Sequence, residues 1–131
     1  MPLVRIALRS GKTPEYRRAI QQSVHHKMVE VLNVPADDQF QIVTEHDADS
    51  LVYNPSYLGI HRSDGIVLIQ ITLNQGRSLE QKRRFYGAVA GALAENPGVR
   101  PEDVFINLVE VAKENWSFGN GVAQYAVEEA A

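Results

Sequence analysis

The chain is built from a repeated unit. When the 131-residue sequence is compared with itself at an offset of 65 positions, identical residues align without gaps at both ends of the unit. A repeat of this kind indicates one supersecondary unit that is built twice. We therefore predict a single domain over residues 1–131, with repeats at about 1–45 and 66–111, a connecting loop and an aromatic C-terminal segment. The identical pairs include Ile6 with Ile71, Leu8 with Leu73, Gly11 with Gly76, Glu15 with Glu80, Val34 with Val99, Asp38 with Asp103 and Phe40 with Phe105.

Each repeat has the pattern of a strand, a helix and a second strand. Apolar residues alternate at the start of the first repeat, which predicts a half-buried strand. Thr13-Pro14 is typical of a helix start, and Ser78 with Gln81 has the spacing of a capping box. The predicted strands are Leu3–Arg9, Gln39–Thr44, Ile66–Leu73 and Val104–Val111, and the predicted helices run from Thr13 to about Leu32 and from Ser78 to about Ala94.

Two such units predict an α/β fold of the α+β type. With a right-handed crossover in each unit, the two repeats form a four-stranded sheet about a pseudo-twofold axis. Both helices then lie on one face of the sheet. Little of the chain is left to cover the other face, so we expect the protein to form an oligomer, with three sheets packed around a threefold axis.

Composition and charge exclude several functional classes. The net charge is −3 and no basic block is present, which argues against nucleic-acid and membrane-surface partners. The chain has no cysteine, so thiol chemistry and disulfides are excluded. Its start is too short and too charged for a signal peptide. No apolar run approaches the ~20 residues of a membrane span, and we expect a cytoplasmic protein.

The histidines do not have the spacing of a metal site. His25 and His26 are adjacent on a predicted helix, so they cannot share a face, and we expect both to be solvated. His46 and His61 are isolated in the connecting loop. Without an Asp, Glu or His cluster at ligand spacing, we expect no metal and no cofactor. Gly119-Asn120-Gly121 indicates a turn rather than a phosphate-binding loop.

Pro2 is the candidate catalytic residue. Met1 before a small residue is normally removed, which leaves a free prolyl secondary amine. An amino terminus titrates at about 7.7–8.0 when it is unperturbed. Moderate electrostatics can therefore make it a base, an acid or an imine-forming nucleophile at neutral pH. Because proline is common at this position, the role depends on the residues that lie around it.

The predicted topology brings a small set of polar and aromatic residues to Pro2. The antiparallel first and third strands place Pro2 at the sheet end where the third strand finishes, at Gln75-Gly76-Arg77. Asp37 and Asp38 precede the second strand at the same end. The segment Asn115–Phe118 arrives there after the fourth strand. An amine, a carboxylate, a guanidinium and aromatic rings are therefore expected to lie together.

The other end of the sheet does not have a complete set. It carries Lys12 and Asp103, but Val67 stands in the position of Pro2, so we expect one complete site per chain. The repeat also supports a structural interpretation. Asp38 recurs as Asp103, so both acids could cap a turn. The cation at 77 recurs as Lys12 and could be a solvated first-turn residue, and the aromatic residues of the C-terminal segment could belong to the core.

These motifs resemble the tautomerase superfamily, and more closely its malonate semialdehyde decarboxylase group. The resemblance covers nearly the whole chain. It implies paired β-α-β units, a small-molecule carboxylate substrate and a homotrimer. The residues that carry it are Met1-Pro2-Leu3, Val34–Asp38 with Phe40-Gln41, Arg77-Ser78 with Glu80-Gln81-Lys82, and, most specifically, Trp116-Ser117-Phe118-Gly119 with Gly121, Ala123 and Tyr125.

The resemblance also implies roles for individual residues. Pro2 is the expected catalytic amine, Asp38 its acidic partner and Arg77 the residue that binds the substrate carboxylate. The better-known decarboxylases have two arginines two positions apart, and Gln75 takes the place of the first one here. The missing cation affects the choice of substrate more than the chemistry. The expected substrate-binding residues are Gln75, Arg77, Trp116, Phe118 and Tyr125.

The expected activity is decarboxylation of a short 3-oxo acid such as malonate semialdehyde, with hydration of an unsaturated acid as a side activity. Protonated Pro2 would stabilise the enolate, or it would form a Schiff base. One alternative is a keto–enol tautomerase for a phenylpyruvate-like acid, with neutral Pro2 as the base. The other alternative is a binding module without catalysis, since one fold hosts unrelated functions.

Overall fold

A computed structural model of the protein describes residues 2–126. Four strands and two long helices follow one another in the predicted order. Three short 3-10 turns lie at Tyr57–Gly59, Pro101–Asp103 and Lys113–Asn115. The main elements are β1 (Leu3–Arg9), α1 (Pro14–Leu32), β2 (Gln41–His46), β3 (Val67–Asn74), α2 (Leu79–Glu95) and β4 (Val104–Val111).

The four strands form one mixed sheet in the order β2-β1-β3-β4. The central strands β1 and β3 are antiparallel, with Leu3 opposite Thr72 and Leu8 opposite Val67. The outer strands each run parallel to their neighbour, β2 beside β1 and β4 beside β3. This arrangement confirms the predicted sheet and its two β-α-β units.

Both helices pack on the same face of the sheet. Alternate residues of β1 and β3 are buried there against the apolar stripes of α1 and α2. The opposite face carries exposed side chains such as Arg5, Gln70 and Phe105. The core is therefore one layer of side chains between sheet and helices, formed chiefly by Val4, Ile6, Leu8, Ile20, Val24, Met28, Leu32, Ile69, Ile71, Leu73, Phe85, Val89 and Leu93.

The helix starts follow the sequence signals, with one difference. Thr13 Oγ1 accepts a hydrogen bond from the Tyr16 amide at 3.1 Å, and Ser78 Oγ accepts one from the Gln81 amide at 3.1 Å. The predicted capping box is only half formed, because the Gln81 side chain donates instead to the Val31 carbonyl of α1 at 2.9 Å. The Gln81 side chain thus forms a hydrogen bond between the helices instead of one within its own cap, and it links α2 to α1.

The second strand begins two residues later than predicted. The residues before it form a turn in which the Asp38 amide donates to the Pro35 carbonyl at 3.0 Å. Pairing with β1 begins where the Val4 amide donates to the Phe40 carbonyl.

The long connection after β2 is held by Arg9, whose guanidinium donates to the Leu51 carbonyl at 3.0 and 3.2 Å. Within residues 2–126, no helix is both long enough and apolar enough to cross a membrane.

Candidate active site

Pro2 lines a small pocket at one end of the sheet. It is buried and has the same strand parity as Val4, whose side chain faces the helices. The pocket has a volume of about 230 Å³ and is mainly apolar. Its lining residues are Pro2, Leu3, Phe40, Trp116, Ser117 and Phe118. The aromatic segment after β4 therefore does reach the amino end of β1.

The aromatic residues of the C-terminal segment stack on one another. The ring centroids of Trp116 and Phe118 are 5.4 Å apart in a stacked arrangement, and Tyr125 meets Phe118 edge-on at 4.8 Å. We call these three residues the aromatic wall. Trp116 and Phe118 are only partly buried and lie outside the main core. The core interpretation is wrong for them, because the helices and sheet already fill the core without them.

Two polar side chains make hydrogen bonds to the segment that carries the aromatic wall. Trp116 Nε1 donates a hydrogen bond to Asn74 Oδ1 at 2.8 Å, which ties the indole to the end of β3. Gln124 Oε1 accepts from the Phe118 amide at 2.9 Å, while Gln124 Nε2 donates to the Gly119 carbonyl at 2.8 Å. Neither Asn74 nor Gln124 was singled out from the sequence.

Asp38 lies at the same end of the sheet and is buried, with 8% of its surface exposed. Burial raises the pKa of the Asp38 carboxyl above its ordinary value. Neighbouring Asp37 raises this pKa further, whereas His25 lowers it. Asp38 precedes β2, which runs parallel to β1, so it lies at the sheet end where β1 begins after Pro2.

Arg77 is half-buried and is held by backbone carbonyls. Its Nη1 donates to the Asn74 carbonyl at 3.0 Å and its Nη2 to the Leu32 carbonyl at 2.9 Å. Burial lowers the pKa of the guanidinium, and the Glu110 carboxylate raises it. The Nε atom is also buried and has no hydrogen-bond acceptor among the described residues. Arg77 is therefore not a solvated first-turn residue.

The structure brings the predicted site residues together only in part. Of the predicted site residues, Pro2, Trp116 and Phe118 line the 230 Å³ pocket as residues 2–126 form it, whereas Asp38, Gln75, Arg77 and Tyr125 are not among its lining residues. Arg77 is connected to the aromatic wall through Asn74, which it shares with Trp116. Gln75 is exposed, and its backbone amide donates to the Val111 carbonyl at 2.9 Å. Substrate binding by either residue stays a prediction.

The dyad-related end of the sheet is closed by the connecting loop. Asp103, only 2% exposed, accepts hydrogen bonds from the Ser63 amide at 2.7 Å and from Ser63 Oγ at 2.6 Å. Arg100 lies 3.6 Å from the same carboxylate. Lys12 is exposed and lies over the Tyr16 ring at 4.9 Å. Asp103 therefore fastens a loop, and the two acids of the repeat differ in their surroundings.

His25 is buried, so the expectation that it is solvated is wrong. Only 6% of its surface is exposed, and its Nε2 lies 2.8 Å from the Ala36 carbonyl. Because a carbonyl only accepts, this nitrogen carries the hydrogen. The spacing held a signal for this, since Met28 and Leu32 follow at i+3 and i+7 on the buried stripe of α1. His26 is exposed, as expected.

A larger cavity of about 760 Å³ lies on the other side of the molecule. It is formed by the open sheet face and the connecting loop, with Arg5, Gln70, Phe105, Asn107 and Tyr53 among its lining residues. It does not include Pro2 or the aromatic wall. Its position on the face without helices identifies it as a concave surface of the sheet rather than the candidate site. Residues 2–126 contain no group of three or more His, Asp or Glu side chains that could hold a metal.

Two family models, both described as tautomerase enzyme, match residues 38–119 and residues 2–60. The probable tautomerase YusQ of Bacillus subtilis (strain 168) is 42% identical over 124 residues, which are 95% of this chain and 98% of that protein. Together the two family matches span the amino terminus, the two acids of the repeat and the start of the aromatic wall.

Solved structures give the same result. A malonate semialdehyde decarboxylase inhibited by 3-bromopropiolate is 45% identical, with a TM-score of 0.87 over 94% of this chain and 93% of that chain. A second malonate semialdehyde decarboxylase, studied for decarboxylase and hydratase activities, is 36% identical, with a TM-score of 0.87 over 94% and 95%. The chain belongs to the tautomerase superfamily of enzymes.

Proposed function

We propose that this protein decarboxylates a short 3-oxo acid of the malonate semialdehyde type, with the amine of Pro2 as the central catalytic group. The observation that carries this proposal is the position of Pro2 in the lining of an aromatic pocket, at the sheet end where the buried Asp38 precedes β2. The two malonate semialdehyde decarboxylases at 45% and 36% identity support the choice of reaction.

In the proposed reaction, removal of Met1 frees the Pro2 amine in its cationic form. Protonated Pro2 donates a hydrogen bond to the C3 carbonyl oxygen of the substrate. The bond between C2 and the carboxylate carbon breaks, and its electron pair passes into the enolate as carbon dioxide leaves. Stabilising this developing oxyanion lowers the barrier. Protonation of C2 then gives acetaldehyde.

The remaining site residues have supporting roles in this proposal. The Asp38 carboxylate stabilises the cationic form of the amine, whereas a nearby Arg77 guanidinium opposes it. Arg77 binds the substrate carboxylate through charge-assisted hydrogen bonds. The aromatic wall keeps water away from the reacting atoms, which strengthens each of these charges. With Gln75 in place of a second cation, the substrate carboxylate depends on one arginine.

A keto–enol tautomerase is the second candidate, and the 42% identity with a probable tautomerase favours it. In that reaction neutral Pro2 acts as a base on a phenylpyruvate-like 2-oxo acid. The two candidates differ in the protonation state of Pro2 at neutral pH. They differ also in product, since only decarboxylation releases carbon dioxide.

The open face of the sheet supports an oligomer. Apolar side chains such as Ile42, Phe105 and Val109 are 41%, 47% and 37% exposed, and Phe105 lies opposite Leu68 on the open face. Burying such a surface stabilises association by about 25 cal/mol per Å² of apolar area. We propose that three copies pack these faces together around a threefold axis.

The proposal is tested by presenting malonate semialdehyde, enol-phenylpyruvate and an unsaturated acid to the purified protein. We expect release of carbon dioxide and acetaldehyde from malonate semialdehyde to be the fastest reaction. Intact mass must show that Met1 is absent, and Pro2→Ala, whose amine is primary and less constrained, should lose most of the activity. A form with Met1 retained that is as active as the processed form would contradict the mechanism. Activity on none of the three would favour a binding module.

A further inference from the structure

Asn74, the last residue of β3, joins two parts of the candidate site. Its Oδ1 accepts a hydrogen bond from Trp116 Nε1 at 2.8 Å. Its backbone carbonyl accepts one from Arg77 Nη1 at 3.0 Å. One residue therefore contacts both the aromatic wall and the cation that the proposed function assigns to the substrate carboxylate.

We propose that Asn74 is a positioning residue: its carboxamide oxygen sets the orientation of the Trp116 indole, and with it the shape of the pocket wall that faces Pro2. Asn74 acts through Trp116 and not on the substrate itself. The catalytic consequence rests on the proposed function. The orientation of the indole does not, and it can be measured separately.

The hydrogen bond from Trp116 to Asn74 joins the aromatic wall to the sheet. Within residues 112–126, the regular structure is confined to the 3-10 turn at Lys113–Asn115. The hydrogen bonds of Gln124 go to Phe118 and Gly119, so they determine the shape of the segment but not its place on the sheet. The bond from Trp116 to Asn74 is what ties the indole to β3. An indole N–H only donates, and a partly buried one left without an acceptor is unfavourable.

The neutral carboxamide also suits the neighbouring arginine. A carboxylate at position 74 would accept from the indole equally well, but it would place a negative charge on the residue whose backbone carbonyl Arg77 contacts. That charge would compete with the substrate carboxylate for Arg77. An asparagine provides the acceptor oxygen without the charge. Asn74→Ala therefore removes the acceptor for the indole, whereas Asn74→Asp keeps the acceptor and adds the charge.

Trp116 is the single tryptophan of the chain, so its fluorescence reports on this indole alone. In Asn74→Ala we expect the emission maximum to move to longer wavelength and acrylamide quenching to increase. Asn74→Asp keeps the acceptor and should retain the native emission. Asn107→Ala is the matched control, because Asn107 Oδ1 also accepts from a side chain, Gln70 Nε2 at 3.0 Å, but on the open face. It should leave the emission unchanged.

Kinetics with malonate semialdehyde test the catalytic consequence. Asn74→Ala should lower kcat/KM roughly fivefold, which corresponds to the free energy of one neutral hydrogen bond. In a protein that already carries Trp116→Phe, Asn74→Ala should not lower kcat/KM further. Asn74→Asp should raise KM more than it lowers kcat. Asn74→Ser, whose hydroxyl is too short to reach the indole, replaces the alanine variant if that variant does not fold.

Two results would overturn the inference. One is native emission and quenching in Asn74→Ala. The other is a loss of kcat/KM on removing Asn74 that is the same with and without Trp116. If the protein turns over no 3-oxo acid, the proposed function fails, while the fluorescence comparison still decides the role of Asn74.

Discussion

At the scale of single residues, the repeat places two acids at equivalent positions in different surroundings. Asp103 is fastened by Ser63 and Arg100 at the closed end of the sheet. Asp38 is buried at the end of the sheet that has the pocket. The same residue type therefore closes a loop in one repeat and, in our proposal, supports catalysis in the other.

We predict that Asp103→Asn lowers the free energy of unfolding by about 1–2 kcal/mol, because a charged acceptor with two hydrogen bonds is removed. Turnover per folded molecule should stay close to that of the unmodified protein. Asp38→Asn should lower turnover by a factor of about a hundred or more, the weight of a positioned acid or base. Chemical denaturation and initial rates measure the two effects. If Asp38→Asn and Asp103→Asn turn over substrate at equal rates, Asp38 has only a structural role.

The raised pKa of Asp38 predicts how stability depends on pH. Because burial raises this pKa in the folded state, the folded protein binds the proton more tightly than the unfolded chain. Stability from this group is therefore greatest below the ordinary value of 3.8 and is lost as the pH rises through the folded pKa. As the pH rises through that window, the Tm of the unmodified protein should therefore fall relative to the Tm of Asp38→Asn. A difference that does not vary with pH would contradict the prediction.

At the scale of secondary-structure elements, side chains at the start of α2 and just before it make contact with the end of α1. Gln81 donates to the Val31 carbonyl and Arg77 to the Leu32 carbonyl. The last carbonyls of a helix have no partner within it, so these donors complete the end of α1. Arg77 thus has a structural contact in addition to its proposed binding role.

Arg77→Ala is therefore expected to have two effects. Loss of two hydrogen bonds from a charged donor should lower the free energy of unfolding by about 2 kcal/mol. Loss of the carboxylate contact should raise the barrier for kcat/KM by about 2–5 kcal/mol. Lys12→Ala is the matched control at the equivalent, exposed position, and it should stay within about 0.5 kcal/mol. Unchanged kinetic constants for a carboxylate substrate in Arg77→Ala would remove Arg77 from the site.

At the scale of the whole molecule, the two faces of the sheet differ. One face is covered by α1 and α2, and the other exposes Phe105 at the edge of the 760 Å³ cavity. A concave face with exposed apolar side chains marks a surface used for association. The proposed trimer would cover it with two further copies of the chain.

We predict that sedimentation shows a particle of three 14.6 kDa chains, and that Phe105→Glu converts it to monomers. A charge on a buried association surface is costly because it loses its water without gaining a partner. Leu79→Glu is the control, since Leu79 begins α2 in the helix layer and is 61% exposed. It should leave the mass unchanged. A monomer for the unmodified protein, or a trimer for Phe105→Glu, would contradict this assembly.

The sequence by itself determined the sheet, the helices and the family. Strand alternation and the caps at Thr13 and Ser78 act over short distances, so they were sufficient to predict the elements, and the repeat at an offset of 65 positions showed that the same unit occurs twice. They also placed Pro2, Asp38 and the aromatic residues at one end, since strand direction follows from the topology of the repeat. The recognised superfamily was confirmed by the family models and by the relatives.

Only the tertiary structure decided which polar groups pair across elements. The Gln81 side chain donates to the Val31 carbonyl instead of completing the predicted capping box. His25 is buried, with its ring nitrogen at the Ala36 carbonyl. The Asn74 side chain accepts a hydrogen bond from the Trp116 indole. These contacts join residues that are 50, 11 and 42 positions apart. A buried donor or acceptor takes whichever partner packing brings near it. Sequence patterns report periodicity and local caps, and they carry little information about such partners.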